Sequence, residues 1–428
     1  MEINIKDGYK ISELGVIPDD WEVKKLGDIG KFKNGINKGK EDFGFGYPFV
    51  NLLDIFGHTK LSNTLLLGLV NSNQQERNDY DLRKGDILFV RSSVKPEGVG
   101  LTSVVIKDLY NSVYSGFLIR FRDFDLLDLG YKEYCFYEEG FRKRLIDNST
   151  VSANTNINQE ALKNLQVILP PLSEQKAIAH ALSDVDNLIT AIDQLITKKR
   201  NIKQGTMQQL LTGKKRLPGF SGKWEMKKLG DIGKFKNGIN KGKEDFGFGY
   251  PFVNLLDIFG QTRLSNNLSL GLVNSSQKER NDYDLIKGDI LFVRSSVKPE
   301  GVGLTSVVLE DLNNSVYSGF LIRFRDFDLL DLGYKQYCFY EEGFRKEIID
   351  SSTVSANTNI NQDALKNLEI KFPPTIEEQK AISEILSDID KEIEALEKNR
   401  DKYKAIKQGM MQELLTGKTR IQIPDFFC

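Results

Sequence analysis

Residues 24–57 read KKLGDIGKFKNGINKGKEDFGFGYPFVNLLDIFG, and residues 227–260 repeat them letter for letter. A gap-free alignment extends this match to Trp21–Pro171 against Trp224–Pro374, with 20 differences in 151 positions. After a one-residue insertion the halves stay parallel: SEQKAIAHAL against EEQKAISEIL, then MQQLLTG against MQELLTG. The second of these pairs leads into GKKRLPGF and GKTRIQIPDF, so a third copy begins near the C-terminus and stops. A period of roughly 200 residues is far above that of solenoid repeats. The chain is a tandem duplication of a whole module.

Within each module the texture changes once. DILFVR (86–91), TSVVI (102–106) and GFLIRFR (116–122) read as strands bounded by turn residues. YKEYCFYEEGFRKRLI (131–146) reads as one amphipathic helix after Gly130. Together they predict a compact α+β domain. After Pro170 and Pro171 the pattern becomes purely helical. Ile178, Leu182, Val185, Ile189, Ile192 and Ile196 alternate four and three residues apart, the heptad seam of a coiled coil. The second copy offers Ile382, Leu386, Ile389, Ile393, Leu396, Tyr403, Met410 and Leu414, with Arg400 and Lys407 interrupting. Thr375 and Glu378 form a predicted capping box, and Gly213 and Gly417 mark the helix ends. A narrow apolar seam some 38 residues long, about 57 Å, needs a partner. The two helices are expected to pack on each other, the alternative being that each lies on its own domain.

The expected segmentation is a first domain at 1–169, a long helix at 170–213, a second domain at 214–372, a second helix at 373–418 and a tail at 419–428. A length of 428 residues, 40% apolar and 28% charged, suits a globular protein with several cores. No run of about 18 apolar residues is present, and the start MEINIKDGYK lacks a signal-peptide pattern, so a cytoplasmic location without membrane contact is expected. Cys135, Cys338 and Cys428 fit a reducing compartment. The formal charge of −1 means that any polyanion must be held by local patches.

Catalytic motifs do not assemble. FGFG (43–46) is followed by strand-like YPFVNLL, whereas a cofactor glycine loop opens a helix. PDDWEVK (18–24) has the letters of a nuclease motif, but its short gap cannot place carboxylates on adjacent strands, and the copy GKWEMK lacks Pro-Asp. His58 is replaced by Gln261, His180 sits within a helix, and no Cys or His pair has zinc spacing, so no metal site is expected.

LPPLSEQKAIAHAL (169–182), FPPTIEEQKAISEIL (372–386), KQGTMQQLLTGKKRL (203–217), KQGMMQELLTGKTRI (407–421) and VIPDDWEVKKLGDI (16–29) resemble signatures of the DNA-specificity subunit of type I restriction-modification systems. The resemblance covers essentially the whole chain and its order of domains and helices. It implies that each α+β domain is a target recognition domain reading one half of a split site in double-stranded DNA. It implies that the helices pack antiparallel as a spacer and dock two methyltransferase subunits, with restriction-translocase subunits joining them. It implies no catalysis and no cofactor in this chain; S-adenosylmethionine belongs to the methyltransferase, which modifies adenine N6.

Three segments, each present twice, are candidate DNA contacts. The Lys/Asn run at 31–40 contributes Lys31, Lys33, Asn34, Asn37, Lys38 and Lys40, and its copy Lys234, Lys236, Asn237, Asn240, Lys241 and Lys243. RSSVKPEG (91–98) contributes Arg91, Ser92, Ser93 and Lys95, and its copy Arg294, Ser295, Ser296 and Lys298. STVSANTNINQ (149–159) contributes Asn154 and Asn156, and its copy Asn357 and Asn359. Lysine suits phosphate, amides suit adenine, and arginine suits guanine or phosphate. Arg91 and Arg294 are the leading candidates.

Two nearly identical domains depart from the family pattern of two different ones. Placed in opposite senses by antiparallel helices, they should read the same half-site on opposite strands, giving an interrupted palindrome. The alternatives are a specificity subunit for a fused type IIB-like restriction-methylation enzyme, and a duplicated scaffold protein.

Overall fold

A computed structural model describes residues 6–62 and 65–422. The last part of the tail, 423–428 with Cys428, and the first five residues lie outside the described residues. The chain divides into two units, one made of residues up to 192 with those from 399 onward, the other of residues 193–398.

In the first unit a five-stranded sheet runs in the order Gly30–Asn34, Leu118–Asp123, Ile87–Val90, Thr102–Val105, Lys60–Leu61. Every residue of Ile87–Val90 is buried, and the alternation of the strand explains how. Ile87 and Phe89 join a core with Trp21, Phe121 and Tyr131, while Leu88 and Val90 join a second core with Val50, Tyr114 and Leu118. A continuous apolar run is what a strand covered on both faces requires. A three-stranded sheet orders Val113–Tyr114, Phe43–Val50 and Gly68–Val70. The FGFG stretch therefore lies inside a strand rather than ahead of one. The second unit repeats these sheets.

The helix expected over 131–146 is broken. Tyr131–Glu133 and Cys135–Tyr137 are 3-10 turns, and an α-helix begins only at Glu139–Asp147. Glu138 causes the restart: its carboxylate accepts from the Gly140 and Phe141 amides, both at 2.6 Å. Glu341 does the same ahead of Glu342–Asp350. Cys135 and Cys338 are buried, and burial pushes both thiols up, away from reactivity.

The two long helices are Leu172–Leu210 and Ile376–Leu414, 39 residues each. In the first unit, Asp186 accepts from Lys407 at 2.6 Å and Glu174 from Arg420 at 2.5 Å, so the start of one helix runs antiparallel to the end of the other. In the second unit Lys203–Asp390 at 2.6 Å, Arg200–Glu397 at 2.5 Å and Lys199–Glu392 give the same sense. Ile178, Leu182, Ile192, Ile196, Ile382, Leu386, Ile393 and Leu414 are buried; Val185, Ile189, Ile389, Leu396, Tyr403 and Met410 are half-buried. Each helix start packs both on the other helix and on a domain. Ile178 and Leu182 share a core with Trp21 and Tyr134 as well as with Leu414 and Leu415. The interrupting Lys407 lies over the Tyr134 ring at 5.2 Å while pairing Asp186, so its charge is matched within the seam.

The capping box at Thr375 is only half formed. The Thr375 hydroxyl accepts from the Glu378 amide at 3.3 Å, but the Glu378 carboxylate accepts from Arg216 at 2.5 and 2.7 Å and from Trp224 at 3.4 Å. Glu174, 1% exposed, holds Trp21 at 2.9 Å and Arg420 in the same way. The start of a third copy thus has a structural purpose. Arg420 closes the first unit as Arg216 closes the second.

Several of the differences between the copies follow the packing. In the first unit a hairpin of Tyr9–Ser12 with Gly15–Pro18 adds Ile17 and Leu14 to the core that holds Ile168 and Leu169, and Gln166 donates to Glu13 at 2.5 Å. In the second unit residues 211–224 form no strand, and Glu369 and Lys371 replace Gln166 and Ile168 at an exposed edge. Elsewhere the Lys60–Glu133 pair at 3.0 Å becomes Arg263–Gln336, so both partners changed together. Burial raises the Glu133 carboxyl against the pull of Lys60. A raised carboxyl weakens the fold once ionised, so its contribution is complete below about pH 4 and is lost as the pH rises through the folded value. Glu133→Gln, the state already present at 336, should stabilise the first unit by about 1 kcal/mol at pH 7, with the gain vanishing near pH 4. Urea unfolding followed at Trp21 in a Trp224→Phe background measures this.

Candidate nucleic-acid interface

The chain path brings the three candidate segments to one place in each unit. Gly30–Asn34 is the edge strand of the large sheet, paired to Leu118–Asp123, and the chain then crosses Tyr114–Phe117, where the Gly116 amide donates to Ile36 at 2.8 Å. Asn37 lies against Gly116, where a β-carbon would collide with its side-chain oxygen. The Arg91 amide donates to Phe117 at 2.8 Å, and the Ile157 amide to Arg91 at 2.9 Å. Ser92–Ser93 pairs with Thr155–Asn156, which pairs with Thr150–Val151. The second unit repeats this arrangement around Gly319, with Ser295–Ser296 against Thr358–Asn359.

The candidates then separate by what already engages them. Arg91 is half-buried, and among the described residues its guanidinium donates only to the Gly116 carbonyl, at 3.4 Å, and forms no ion pair; the Arg294 guanidinium donates to Gly319 at 3.3 Å. Arg120 and Arg122, by contrast, are held by Asp81 and Asp86 at 2.6 to 3.3 Å. Lys31, Lys40, Lys95, Lys234, Lys243, Lys298, Asn37, Asn154, Asn240 and Asn357 are exposed. Asn34 is half-buried and Asn237 exposed, each on the edge strand of its unit.

Other candidates are taken up inside the fold. Lys38, with a side chain 11% exposed, pairs with Glu76 at 2.7 Å, and its hydrogen bond holds the Glu76 carboxyl below the usual range; Lys241 pairs with Glu279 at 2.8 Å. Lys33 and Lys236 lie over Tyr80 and Tyr283, each at 4.7 Å. Ser93 and Ser296 are buried beneath Gly98 and Gly301, and Ser295 is buried while Ser92 is half-buried. Asn156 and Asn359 donate to the Asn154 and Asn357 carbonyls at 2.9 Å. Lysine and serine letters alone do not reveal an internal partner two elements away.

The structure adds apolar residues that composition did not flag. Val94 is 82% exposed and Phe117 57%. With Leu52, Phe56, Leu101 and Asn154 they line an open depression of about 450 Å³ beside Ser92 and Lys95. Its counterpart in the second unit, about 470 Å³, has the same residue types at Val297, Phe320, Leu255, Phe259, Leu304 and Asn357. The available signal was an isolated valine in the polar turn RSSVKPEG and a phenylalanine straight after Gly116.

The motifs that suggested chemistry find structural roles. Asp20 of PDDWEVK pairs with Arg420 at 2.8 Å, and Glu22 pairs with Lys24 at 2.8 Å. His180 pairs with Asp184 at 3.1 Å along its helix. Among the described residues no group of three or more His, Cys, Asp or Glu could hold a metal ion, and no helix is long and apolar enough to cross a membrane.

The model of the type I restriction modification DNA specificity domain matches residues 18–203 and again 221–405. The chain belongs to that family. The MjaVIII specificity subunit of Methanocaldococcus jannaschii, a type I restriction enzyme component, is 26% identical over 96% of this chain and 95% of its own. A solved type I S subunit from M. genitalium shares the fold at TM-score 0.52 and 14% identity, over 96% of this chain and 98% of its own. A chain from a type I system, solved in work on complex assembly and conformational transition, aligns at TM-score 0.60 and 16% identity, over 94% and 99%. In this specificity subunit the two family domains are near-identical, so one face is presented twice.

Proposed function

We propose that this specificity subunit is itself non-catalytic and directs adenine N6 methylation, or cleavage, to an interrupted palindrome in double-stranded DNA. The observation that carries the reading is the identity of the two candidate faces. None of the 20 differences falls within residues 31–40, 84–105, 111–132 or 149–159. The reading takes the two domains to meet the duplex in opposite senses. Like domains in opposite senses read one half-site on each strand. The chemistry is assigned to two methyltransferase subunits carrying S-adenosylmethionine, with restriction-translocase subunits joining them in the cytoplasm.

Mapping N6-methyladenine in a host that expresses this chain with its methyltransferase tests the reading. The expected motif is a split palindrome; an asymmetric bipartite motif or a direct repeat overturns it. Purification through a tag on this chain separates the system types. Distinct methyltransferase and translocase chains are expected, whereas one fused chain would identify a type IIB-like enzyme.

A further inference from the structure

We infer that the depression between Val94 and Phe117, with its copy between Val297 and Phe320, reads the 5-methyl edge of a thymine in each half-site. The inference rests on the proposal that the Arg91 face meets DNA, and it names what that face selects. Val94 stands 82% exposed in a turn that is otherwise polar, and Phe117 is 57% exposed on the residue whose carbonyl receives the Arg91 amide. Exposed apolar side chains this close to a cation without an ion pair are matched by a target that is anionic outside and apolar at one point. Duplex DNA fits that description in its major groove, where the thymine methyl is the one apolar group displayed among hydrogen-bonding edges.

The charge around the depression agrees with such an occupant. Lys95 lines it without a carboxylate partner among the described residues, Arg91 directly precedes Ser92 of its wall, and the exposed Glu97 also lines it. A carboxylate at this position suits a cytosine amino group and disfavours phosphate, so the depression faces base edges with the cations beside it. Asn154, exposed on the same wall, adds an amide able to pair with adenine. All of these residues recur in the second unit, at Arg294, Lys298, Glu300 and Asn357. A thymine read in one half-site is therefore read in both.

The test uses the assembled methyltransferase complex and duplexes carrying its methylome-defined site. Each specified thymine is replaced by deoxyuridine, which removes only the methyl group. At one symmetric position the loss should be about fourfold in affinity for one half-site and about fifteenfold for both, the effect of burying one methyl group twice. In the Val94→Ala, Val297→Ala variant, thymine and deoxyuridine duplexes should bind within about twofold of each other. Deoxyuridine without effect at every position overturns the inference, as does discrimination that survives unchanged in the variant. If deoxyuridine has no effect while Arg91→Ala with Arg294→Ala abolishes specific binding, the face meets DNA but this assignment of the depression fails. If neither change matters, the proposed face fails with it. Loss of the methyltransferase from the valine variant, with discrimination intact, would make the depression a protein-docking surface and also overturn the inference.

Discussion

Replacing both Arg91 and Arg294 with alanine should weaken specific DNA binding by the complex by about 2–6 kcal/mol, at about 1–3 kcal/mol for each bidentate contact. The expectation comes from what the two guanidiniums lack. Arg120, Arg122, Arg323 and Arg325 are held by aspartates of their own domain, whereas among the described residues the Arg91 and Arg294 guanidiniums each reach only a glycine carbonyl at the limit of a hydrogen bond. Their backbones are fixed on both sides by the Phe117 or Phe320 carbonyl and the Ile157 or Ile360 amide, so the side chains project from a rigid base. The readout separates base from phosphate contact. If the arginines read bases, the double variant loses discrimination between cognate and substituted half-sites while its salt dependence changes little. If they hold phosphate, binding falls equally on all sequences and the slope against salt drops by about two charges. Unchanged affinity for the cognate duplex would remove both residues from the interface. Lys38→Ala with Lys241→Ala serves as the contrast, since both lysines are already paired with glutamates and should change affinity little.

Arg420→Ala should destabilise the first unit by about 2–3 kcal/mol and leave the second unit unchanged. Glu174 is almost completely buried and accepts from both Arg420 and the Trp21 indole. Removing the guanidinium leaves a buried carboxylate with one neutral donor, and breaking a buried pair typically costs about 3–5 kcal/mol. The lower figure reflects the part-exposed Arg420 side chain and its second partner, Asp20. Hydrogen exchange should rise across residues 16–29 and at the start of the first long helix, but not at Trp224, where Arg216 holds Glu378. Adding Glu174→Gln should recover about half of the loss, because no buried charge then remains. A uniform loss in both units, or no rescue by glutamine, would show that Arg420 acts through something other than this pair.

Much of the architecture was legible in the letters because it rests on period and repetition. The strands at 86–91, 102–106 and 116–122 depend on short apolar runs between turn residues, and the heptad seams on regular spacing, both of which a sequence displays directly. Glu138 shows where that stopped: the 131–146 stretch has helical periodicity throughout, yet a side-chain cap restarts the helix within it. The site was less legible. Lys38 and Arg91 look alike as cations in glycine-flanked polar segments, and only the approach of Glu76 to one and not the other separates them. The apolar depression left only two isolated apolar letters as a signal, because Leu52, Val94 and Phe117 are far apart in sequence and come together only in the folded domain.

The amino-acid sequence by itself determined that this protein is one module written twice, that each module ends in a long amphipathic helix, and that the two candidate faces carry the same residues. Repetition and periodicity are properties of order along the chain, so no folding was needed to see them. Only the tertiary structure decided which cations are engaged and which are available, why the copies differ at 166–169, and what the trailing Arg420 is for. Each of those depends on which distant residues share a neighbourhood, since a carboxylate brought against a cation neutralises it and a hairpin laid over an edge makes it apolar.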